Sequence, residues 1–321
     1  MSSIDNTPLR TILVTGATGH QGGALIDALV AEPSSAKQFS ILAITRNANS
    51  SSARKLLSKS SNIKIVQGDL DTPSKIFQDA KALSPDGKIW GVFSMFAKEE
   101  KPASAEKSHE VKQGYEWIDE CIKNHVEHFV YSSTDRGGEK RSWENPTPIP
   151  HFKTKYLIEQ HLFHSIETTK STMKWAIFRP TMFYENLEPT YEIKMFMTFY
   201  RDVMGNKPVG WIATDDIGVF ASKAFLYPEE YQGRAITLAG EEITMDQLNQ
   251  IFINVTGKPV PVTFGFMGSL MRVFAKHYAI MVDWMKDEGY QYDIAELRRI
   301  HPGLMDVETW LREKSRFEKK A

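Results

Sequence analysis

Three glycines, Gly16, Gly19 and Gly22, lie in the segment VTGATGHQGG, between a short apolar run and a helical pattern. In such a strand–turn–helix segment the first glycine permits a tight turn, the second lets the backbone approach a pyrophosphate, and the third lets the helix pack closely on the strand. The helix N-terminus adds free N–H groups that face the anion. An ordinary glycine-rich turn is the alternative, but the context favours a dinucleotide phosphate site.

The end of the second predicted strand indicates which dinucleotide binds. NAD sites usually carry an acidic residue there, whereas this chain has Thr45, Arg46 and Asn47. A carboxylate would repel a 2′-phosphate, while a guanidinium pairs with it through a fork of donors. Arg46 therefore predicts NADP(H) as the cofactor, with Lys55 and the Ser50–Ser52 hydroxyls as further contacts to the 2′-phosphate. A solvated surface arginine is the alternative.

Asp69 lies in the segment GDLD after the third predicted strand. We expect it to meet the adenine end of the cofactor. The alternative is a turn or helix cap, which is a common role for an acidic residue at a strand end.

The elements that must position these residues alternate along the chain. Six short apolar runs predict strands, with helices between them, at Arg10–Thr15, Phe39–Thr45, Ile63–Val66, Trp90–Ser94, His128–Ser132 and Lys174–Phe178. Predicted helices cover Gly22–Val30, Ala103–Asn124 and His151–Ser165. This alternation predicts an α/β fold, a Rossmann-type doubly wound parallel sheet with helices on both faces.

After Arg179 helices dominate, with brief strands expected at Val209–Ile212, Ala235–Leu238 and Val260–Phe264. We therefore expect an NADP-binding domain over residues 1–180, to which later segments return, and a smaller, mainly helical domain over residues 181–321 for substrate or partner. An apolar stripe at helical spacing in the second domain is predicted to be core, with a substrate lid or a partner surface as alternatives: Met267, Leu270, Met271, Phe274, Tyr278, Met281, Val282 and Met285.

Composition excludes several classes of protein. The 321 residues are 41% hydrophobic and 25% charged, with a formal net charge of −1. No basic field is available for a nucleic acid backbone, so no direct nucleic acid partner is expected. The single cysteine, Cys121, is expected to be a buried structural thiol and fits a reducing cytoplasmic or nuclear compartment. No apolar run predicts a membrane span, and no metal site is expected.

Several motifs occur together in a familiar order: GATGHQG, TRN, GDLD, YSS, HFKTKYLIEQHL, FRPTMFYENL and DDIG. In this combination the chain resembles the NmrA-like proteins, atypical members of the short-chain dehydrogenase/reductase superfamily, most clearly over residues 10–255. That family includes an NADPH sensor, fungal regulators that bind dinucleotides without turnover, and NADPH-dependent reductases. The resemblance implies the fold and the cofactor more firmly than the reaction.

The resemblance also points to a catalytic pair. Enzymes of the superfamily carry a tyrosine four residues before a lysine, and Lys155 matches that lysine, but His151 stands where the tyrosine is expected. Three interpretations stay open. His151 replaces the tyrosine as the acid, Lys155 handles the proton itself, or no chemistry occurs and Lys155 only binds the nicotinamide ribose. A structural alternative for His151 is a role in starting the helix after three nearby prolines.

Further residues follow the ends of the fifth and sixth strands, where open α/β sheets bind ligands. Thr134 is the candidate catalytic hydroxyl, and Tyr184 and Asn186 are candidate substrate-pocket residues, with structural loop packing as their alternative. The complete set expected to bind the cofactor is Gly16, Thr18, Gly19, His20, Gln21, Gly22, Arg46, Asp69, Leu70, Ser133, Lys155 and Thr181.

Two functions remain in competition. The intact glycine motif and the retained lysine favour an NADPH-dependent oxidoreductase that reduces a small carbonyl or conjugated substrate. The missing tyrosine favours a non-catalytic NADPH/NADP+ sensor that regulates transcription through a protein partner.

Overall fold

The computed structural model describes residues 9–96, 104–188, 190–265, 270, 272 and 275–320. Its strands are β1 Arg10–Val14, β2 Phe39–Thr45, β3 Ile63–Gln67, β4 Gly91–Ser94, β5 His128–Ser132, β6 Lys174–Pro180, β7 Met182–Phe183, β8 Val209–Ile212, β9 Arg234–Leu238 and β10 Glu241–Ile243. Its helices are α1 His20–Ala31, α2 Ser51–Leu57, α3 Pro73–Leu83, α4 His109–Lys123, α5 Glu139–Ser142, α6 Pro150–Thr169, α7 Tyr191–Met204, α8 Thr214–Leu226, α9 Pro228–Tyr231, α10 Met245–Thr256, α11 Lys276–Asp287, α12 Ile294–Ile300 and α13 Val307–Glu313. Short 3-10 turns cover Ser35–Lys37, Ala105–Lys107 and Tyr184–Leu187.

The central sheet has seven strands in the order β3-β2-β1-β4-β5-β6-β9. Neighbours from β3 to β6 pair in parallel. β9 runs the same way, because Gly233 N donates to Trp175 O and Thr181 N donates to Leu238 O. Parallel strands covered on both faces need apolar side chains throughout, and Ile12, Leu13 and Val14 of β1 are fully buried. The predicted Rossmann-type parallel sheet is thus confirmed.

The strand order reverses at β1, which pairs with β2 on one side and β4 on the other. The crevice outside the carboxyl ends of strands at such a reversal is the place where open α/β sheets bind ligands. The glycine segment follows β1 directly, so the chain carries it to this crevice.

A second sheet has the order β10-β8-β7, with β7 and β8 parallel and β8 and β10 antiparallel. An apolar core surrounds it, in which Trp211 and Trp310 are buried. Of the predicted apolar stripe, Met281, Val282 and Met285 are buried in this core and Tyr278 packs against it, as the core interpretation expects. Leu270 is half-buried, and Met267, Met271 and Phe274 lie outside the described residues.

The strand predicted at Val260–Phe264 is wrong. Its backbone is held by side chains instead of a neighbouring strand: Val260 N donates to Asn249 Oδ1 at 3.0 Å, and Thr263 N donates to Thr198 Oγ1 at 2.8 Å. Helix α4 also starts later than predicted, at His109, because the Ser108 hydroxyl caps it by accepting from Val111 N. The predicted start at Ala103 lies outside the described residues.

Two compact units are present, and neither is continuous in sequence. The first comprises the chain up to Ser133, Leu157–Phe178 and Ile217–Ala235, and the second comprises Thr134–Tyr156, Arg179–Asp216 and the chain from Ile236. The domain division at residue 180 stays a prediction. Cys121 is fully buried, which raises the pKa of its thiol well above the ordinary value, as expected for a structural thiol. Among the described helices, none combines the length and apolarity needed to cross a membrane.

Candidate functional site

The turn after β1 is built on two close backbone approaches. Gly16 has φ +58°, in the left-handed region that favours glycine, and a Cβ there would lie 2.6 Å from Met95 Sδ. A Cβ on Gly22 would lie 2.5 Å from Gly16 O and 2.7 Å from Thr15 O, which are backbone atoms that cannot move aside cheaply. Gly19 N closes the turn by donating to Gly16 O at 2.9 Å. Glycine at positions 16 and 22 is therefore required by the turn itself.

The start of α1 is open to an anion. Gly19 is its N-cap and brings no side chain, and its first turn contains no acidic residue. Thr18, Gly19 and His20 are exposed. The first amides of a helix have no intrahelical acceptor, and the helix dipole places partial positive charge beside them. This arrangement can bind a phosphate or pyrophosphate.

The carboxyl ends of three strands converge on this turn. Thr15 Oγ1 donates to Met95 O and accepts from Met95 N, which ties the end of β1 to the end of β4. From the end of β5, the Ser132 hydroxyl donates to Gln21 Oε1 at 2.5 Å. Gln21, a predicted cofactor residue, is thus held by Ser132, which the sequence did not single out.

The turn after β2 carries the residues predicted to select the cofactor. Arg46 and Lys55 are both exposed, and neither side chain is in an ion pair within the described ranges. Ser50 caps α2 by accepting from Ala53 N at 3.1 Å, so its hydroxyl has a structural task. Two cationic groups therefore remain available to an anion beside β2.

Asp69 and Leu70 lie in a turn after β3. The Asp69 carboxylate accepts from Asp71 N at 3.1 Å, which is a turn-stabilising contact, and the side chain remains exposed. Asp71 itself accepts from Gln113 and from His109 of α4, and the hydrogen bond from Gln113 lowers the pKa of its carboxyl group. The start of α4 thereby fixes the turn that carries the predicted adenine-side residues.

Ser133 is 5% exposed, and its hydroxyl donates to Glu159 Oε1 at 2.5 Å. Glu159 lies in α6 and is fully buried, although no role was predicted for it. A carboxylate on the apolar side of an amphipathic helix is the signal that would have identified it, because burying a charge is costly without a partner. The hydroxyl of Ser133 is thus already committed to a protein acceptor.

The remaining predicted residues belong to the second compact unit. Thr134 is half-buried, and its hydroxyl donates to Pro180 O at 3.4 Å. Thr181 is buried, and both its N–H and its hydroxyl donate to Leu238 O, at 3.0 and 3.1 Å. The end of β9 fixes Thr181 through these two contacts.

His151 and Lys155 lie in the first turns of α6, which begins at Pro150. Both are half-buried, and a spacing of four places them on one face of the helix. The His151 ring packs edge-on against the ring of Phe152, with centroids 4.9 Å apart. The two residues share one face of α6, and their joint action stays a prediction.

The two candidate pocket residues differ in environment. Tyr184 is fully buried, its ring is parallel to that of Trp211, and it packs near Trp310. Burial raises the pKa of its phenol, and its hydroxyl donates to Met305 O at 3.5 Å. These contacts favour the structural interpretation of Tyr184. Asn186 is exposed.

The described residues contain no group of three or more histidine, cysteine or acidic side chains arranged to hold a metal ion.

A family model described as the NmrA-like family matches residues 8–311. The NmrA-like family domain-containing oxidoreductase hkm9 of Aspergillus hancockii is 26% identical over an alignment of 259 residues, with 78% of this chain and 73% of the relative covered. An NmrA-like family domain-containing protein of Dictyostelium discoideum is 22% identical and aligns over 90% of this chain and 94% of its own.

Solved structures show the same fold. Triphenylmethane reductase of Citrobacter sp., complexed with NADP(H), has a TM-score of 0.67 and 19% identity, with 95% of this chain and 99% of that chain covered. NmrA, a negative transcriptional regulator in complex with NADP, has a TM-score of 0.64 and 17% identity, with 96% of both chains covered. The same architecture thus occurs in a reductase and in a regulator.

Proposed function

The chain belongs to the NmrA-like family, and we propose that it is an NADP(H)-dependent oxidoreductase that reduces a small carbonyl or conjugated substrate. The observation that carries the proposal is the open cradle at the start of α1. Its backbone is shaped by Gly16 and Gly22, and its helix end has neither a capping side chain nor an acid in the first turn. A cofactor pyrophosphate fits such a cradle through backbone N–H groups and the helix dipole.

The charge beside β2 supports the phosphorylated dinucleotide. Arg46 is exposed at the point where NAD sites usually carry an acid, and Lys55 adds a second cation on α2. A guanidinium binds a phosphate through two parallel hydrogen bonds between opposite charges. A ribose hydroxyl is neutral and offers the guanidinium no opposite charge. Both residues would hold the 2′-phosphate of NADP(H).

When bound, NADPH supplies the hydride from its nicotinamide ring. The chain must then provide a proton for the substrate. Histidine is a common general acid, and we assign that role to His151, while Lys155 matches the ribose-binding lysine of the superfamily pattern. We assign donation of the proton to His151 and Lys155, and binding of the nicotinamide ribose to Lys155. Thr134 supplies the candidate catalytic hydroxyl.

A second candidate function is a non-catalytic NADPH/NADP+ sensor that acts through a regulatory protein. The observation that favours it is His151 in place of the tyrosine of superfamily enzymes. NmrA, a structural neighbour, is a negative transcriptional regulator in complex with NADP. A cytoplasmic or nuclear location is compatible with either function and stays a prediction.

The test is NADPH oxidation by the purified chain across a panel of aldehydes, ketones, enones and quinones, followed at the nicotinamide absorbance. We expect turnover of at least one class, and its loss in Lys155→Ala. NADPH binding without turnover of any panel member would exclude the oxidoreductase proposal and favour the sensor. Absence of NADPH binding would exclude both.

A further inference from the structure

The segment after β5 contains an unusual concentration of buried charge. Asp135 and Arg136 of this segment are fully buried, and so is Arg179 of β6. Removing a charged side chain from water costs free energy unless hydrogen bonds replace the lost hydration. These side chains must therefore be satisfied by the surrounding protein, and their contacts show what they hold in place.

The Asp135 carboxylate accepts hydrogen bonds on both oxygens. Oδ1 accepts from the Thr237 hydroxyl at 2.7 Å and from Gly138 N at 2.9 Å. Oδ2 accepts from Gly137 N at 3.0 Å and from Gln291 N at 3.3 Å. One carboxylate thus joins the loop after β5 to β9 and to the segment that follows α11.

The charge state of Asp135 follows from these partners. Burial raises the pKa of its carboxyl group, while the hydrogen bonds from Thr237 and the backbone amides lower it. Each of these partners donates a hydrogen bond, so together they match the ionised carboxylate, which only accepts. An amide side chain at this position would place its NH2 donor against groups that also donate.

Arg136 fixes the same loop from the inside. Its Nη1 donates to Thr134 O at 2.9 Å, and its Nη2 donates to Ser142 O at 2.7 Å. Its own backbone N–H donates to the Ser142 hydroxyl at 2.9 Å, and the guanidinium lies 5.6 Å from the ring centroid of Tyr156. The backbone of Thr134 is thereby attached to the short helix α5.

A series of hydrogen bonds continues from this loop to the start of α6. Asn145 Nδ2 donates to Arg136 O at 3.0 Å, and Asn145 Oδ1 accepts from Thr147 N at 3.0 Å. The Thr147 hydroxyl accepts from Ile149 N at 3.3 Å, and Ile149 O accepts from Phe152 N at 3.0 Å. The chain from Thr134 to the first turn of α6 is therefore held along its length.

We propose that Asp135 and Arg136 are positioning residues for the reaction, because they set Thr134 and the start of α6, which carries His151 and Lys155, in one fixed arrangement. The inference rests on the proposed oxidoreductase function. It adds two fully buried residues that act through the loop they hold and determine where the proton-handling groups stand. Misplacing a reacting group by about 1 Å is sufficient to cost about a hundredfold in rate.

The test compares Asp135→Asn and Asn145→Ala with Arg141→Gln in the full chain. Asp135→Asn replaces one acceptor oxygen by a donor. Asn145→Ala removes the hydrogen bonds of the Asn145 side chain with Arg136 O and Thr147 N, at a half-buried position. Arg141 lies in α5, next to this loop, but is exposed and pairs with Glu288 at the surface, so Arg141→Gln is the matched control. The readouts are kcat, KM, the Kd of NADPH, the folded fraction by circular dichroism, and backbone amide exchange over residues 134–149.

We expect kcat to fall by roughly tenfold to a hundredfold in Asp135→Asn and less in Asn145→Ala, with an unchanged folded fraction and faster amide exchange over residues 134–149. The NADPH Kd should rise less than it does in Lys155→Ala, because the ribose-binding lysine is displaced and not removed. The Arg141→Gln control should match the wild type. Wild-type kcat in both variants, or a fall in kcat that only follows the folded fraction, would overturn the inference alone. A wild-type chain without turnover on any panel member would remove the proposed function, and the inference with it.

Discussion

Arg46 is the residue whose charge should distinguish NADPH from NADH. It is exposed beside β2, without an ion-pair partner among the described residues, so it is available to a phosphate. Arg46→Ala should weaken NADPH binding by about tenfold or more, since a hydrogen bond to a charged group is worth roughly 1.5–3 kcal/mol. NADH binding should hardly change. Titration of both cofactors against both proteins measures the difference.

Lys64→Ala is the matched control, because it removes one positive charge at the amino end of β3, where Lys64 Nζ donates to Leu83 O. It should leave the preference for NADPH intact. Equal affinities of the wild type for NADPH and NADH would contradict the assignment of Arg46.

Substitutions at Gly19 and Gly22 distinguish an effect on cofactor binding from an effect on folding. A Cβ at Gly19 meets only Gly16 O, at 3.2 Å, in an exposed extended backbone, whereas a Cβ at Gly22 lies 2.5 Å from Gly16 O in a buried position. Gly19→Val should therefore abolish NADPH binding with the fold intact. Gly22→Ala should also destabilise the protein, by roughly 1–3 kcal/mol, the usual cost of overpacking.

Isothermal calorimetry with NADPH measures the first effect, and thermal unfolding followed by circular dichroism measures the second. Retained affinity in Gly19→Val would place the dinucleotide elsewhere on the chain.

At this scale the sequence predicts residues whose role is local. Gly16, expected at a tight turn, has φ +58°, and Gly22, expected where the helix packs on the strand, lies against the backbone of Thr15 and Gly16. Both requirements depend on neighbours a few residues away. Ser132 and Glu159 escape prediction because their partners are distant in sequence. The Ser132 hydroxyl donates to Gln21, and Glu159 accepts from Ser133. No local pattern specifies such pairs before the sheet has formed.

Among the elements, strands buried on both faces are predicted best. β2 and β5 match their predicted ranges, since continuous apolar runs between turn residues have few alternatives in an alternating α/β chain. The apolar run at Val260–Phe264 gave the same signal without forming a strand. Side chains of Asn249 and Thr198 accept its backbone N–H groups, and an unpaired segment cannot be distinguished from a strand by its composition alone.

Helix α6 is the element on which the distinction between an enzyme and a sensor depends. His151→Phe should lower turnover by about a hundred- to ten-thousandfold if His151 donates the proton, and should leave NADPH affinity nearly unchanged. Lys155→Ala should lower both turnover and NADPH affinity, because Lys155 is also assigned to binding the ribose. If Lys155 alone donates the proton, His151→Phe should lower turnover only slightly. Steady-state kinetics and NADPH titration of each variant separate these cases.

Lys153→Ala, in the same turns of α6 but not on the predicted face, is the control and should retain both properties. A double variant of His151 and Lys155 with normal NADPH affinity and normal turnover would show that this helix does not serve the site.

For the molecule as a whole, acidic and basic side chains nearly balance, with 39 lysines and arginines against 40 aspartates and glutamates. Acidification makes the whole chain positive, so many groups contribute to a loss of stability at low pH. The contribution of one buried histidine is isolated by comparing the wild type with a variant that lacks it, because the other groups titrate alike in both proteins.

His128, at the start of β5, is the suitable histidine. It is 8% exposed, its ring packs against Trp90, and burial, followed by the charge of Lys174, lowers its pKa to about 4. An unfolded histidine takes up its proton near pH 6.5. The stabilising contribution of the neutral imidazole is therefore complete above about pH 6.5 and is lost as the pH falls towards 4, by at most about 3 kcal/mol.

His128→Gln should lower the free energy of unfolding at pH 7.5 through lost packing with Trp90, and the gap to the wild type should narrow steadily between pH 6.5 and 4.5. Urea unfolding at several pH values in that range measures the gap. His164→Gln, which changes an exposed histidine in α6, is the matched control and should keep a constant gap. A gap that stays constant for His128→Gln as well would show that the buried imidazole does not govern the acid sensitivity of the protein.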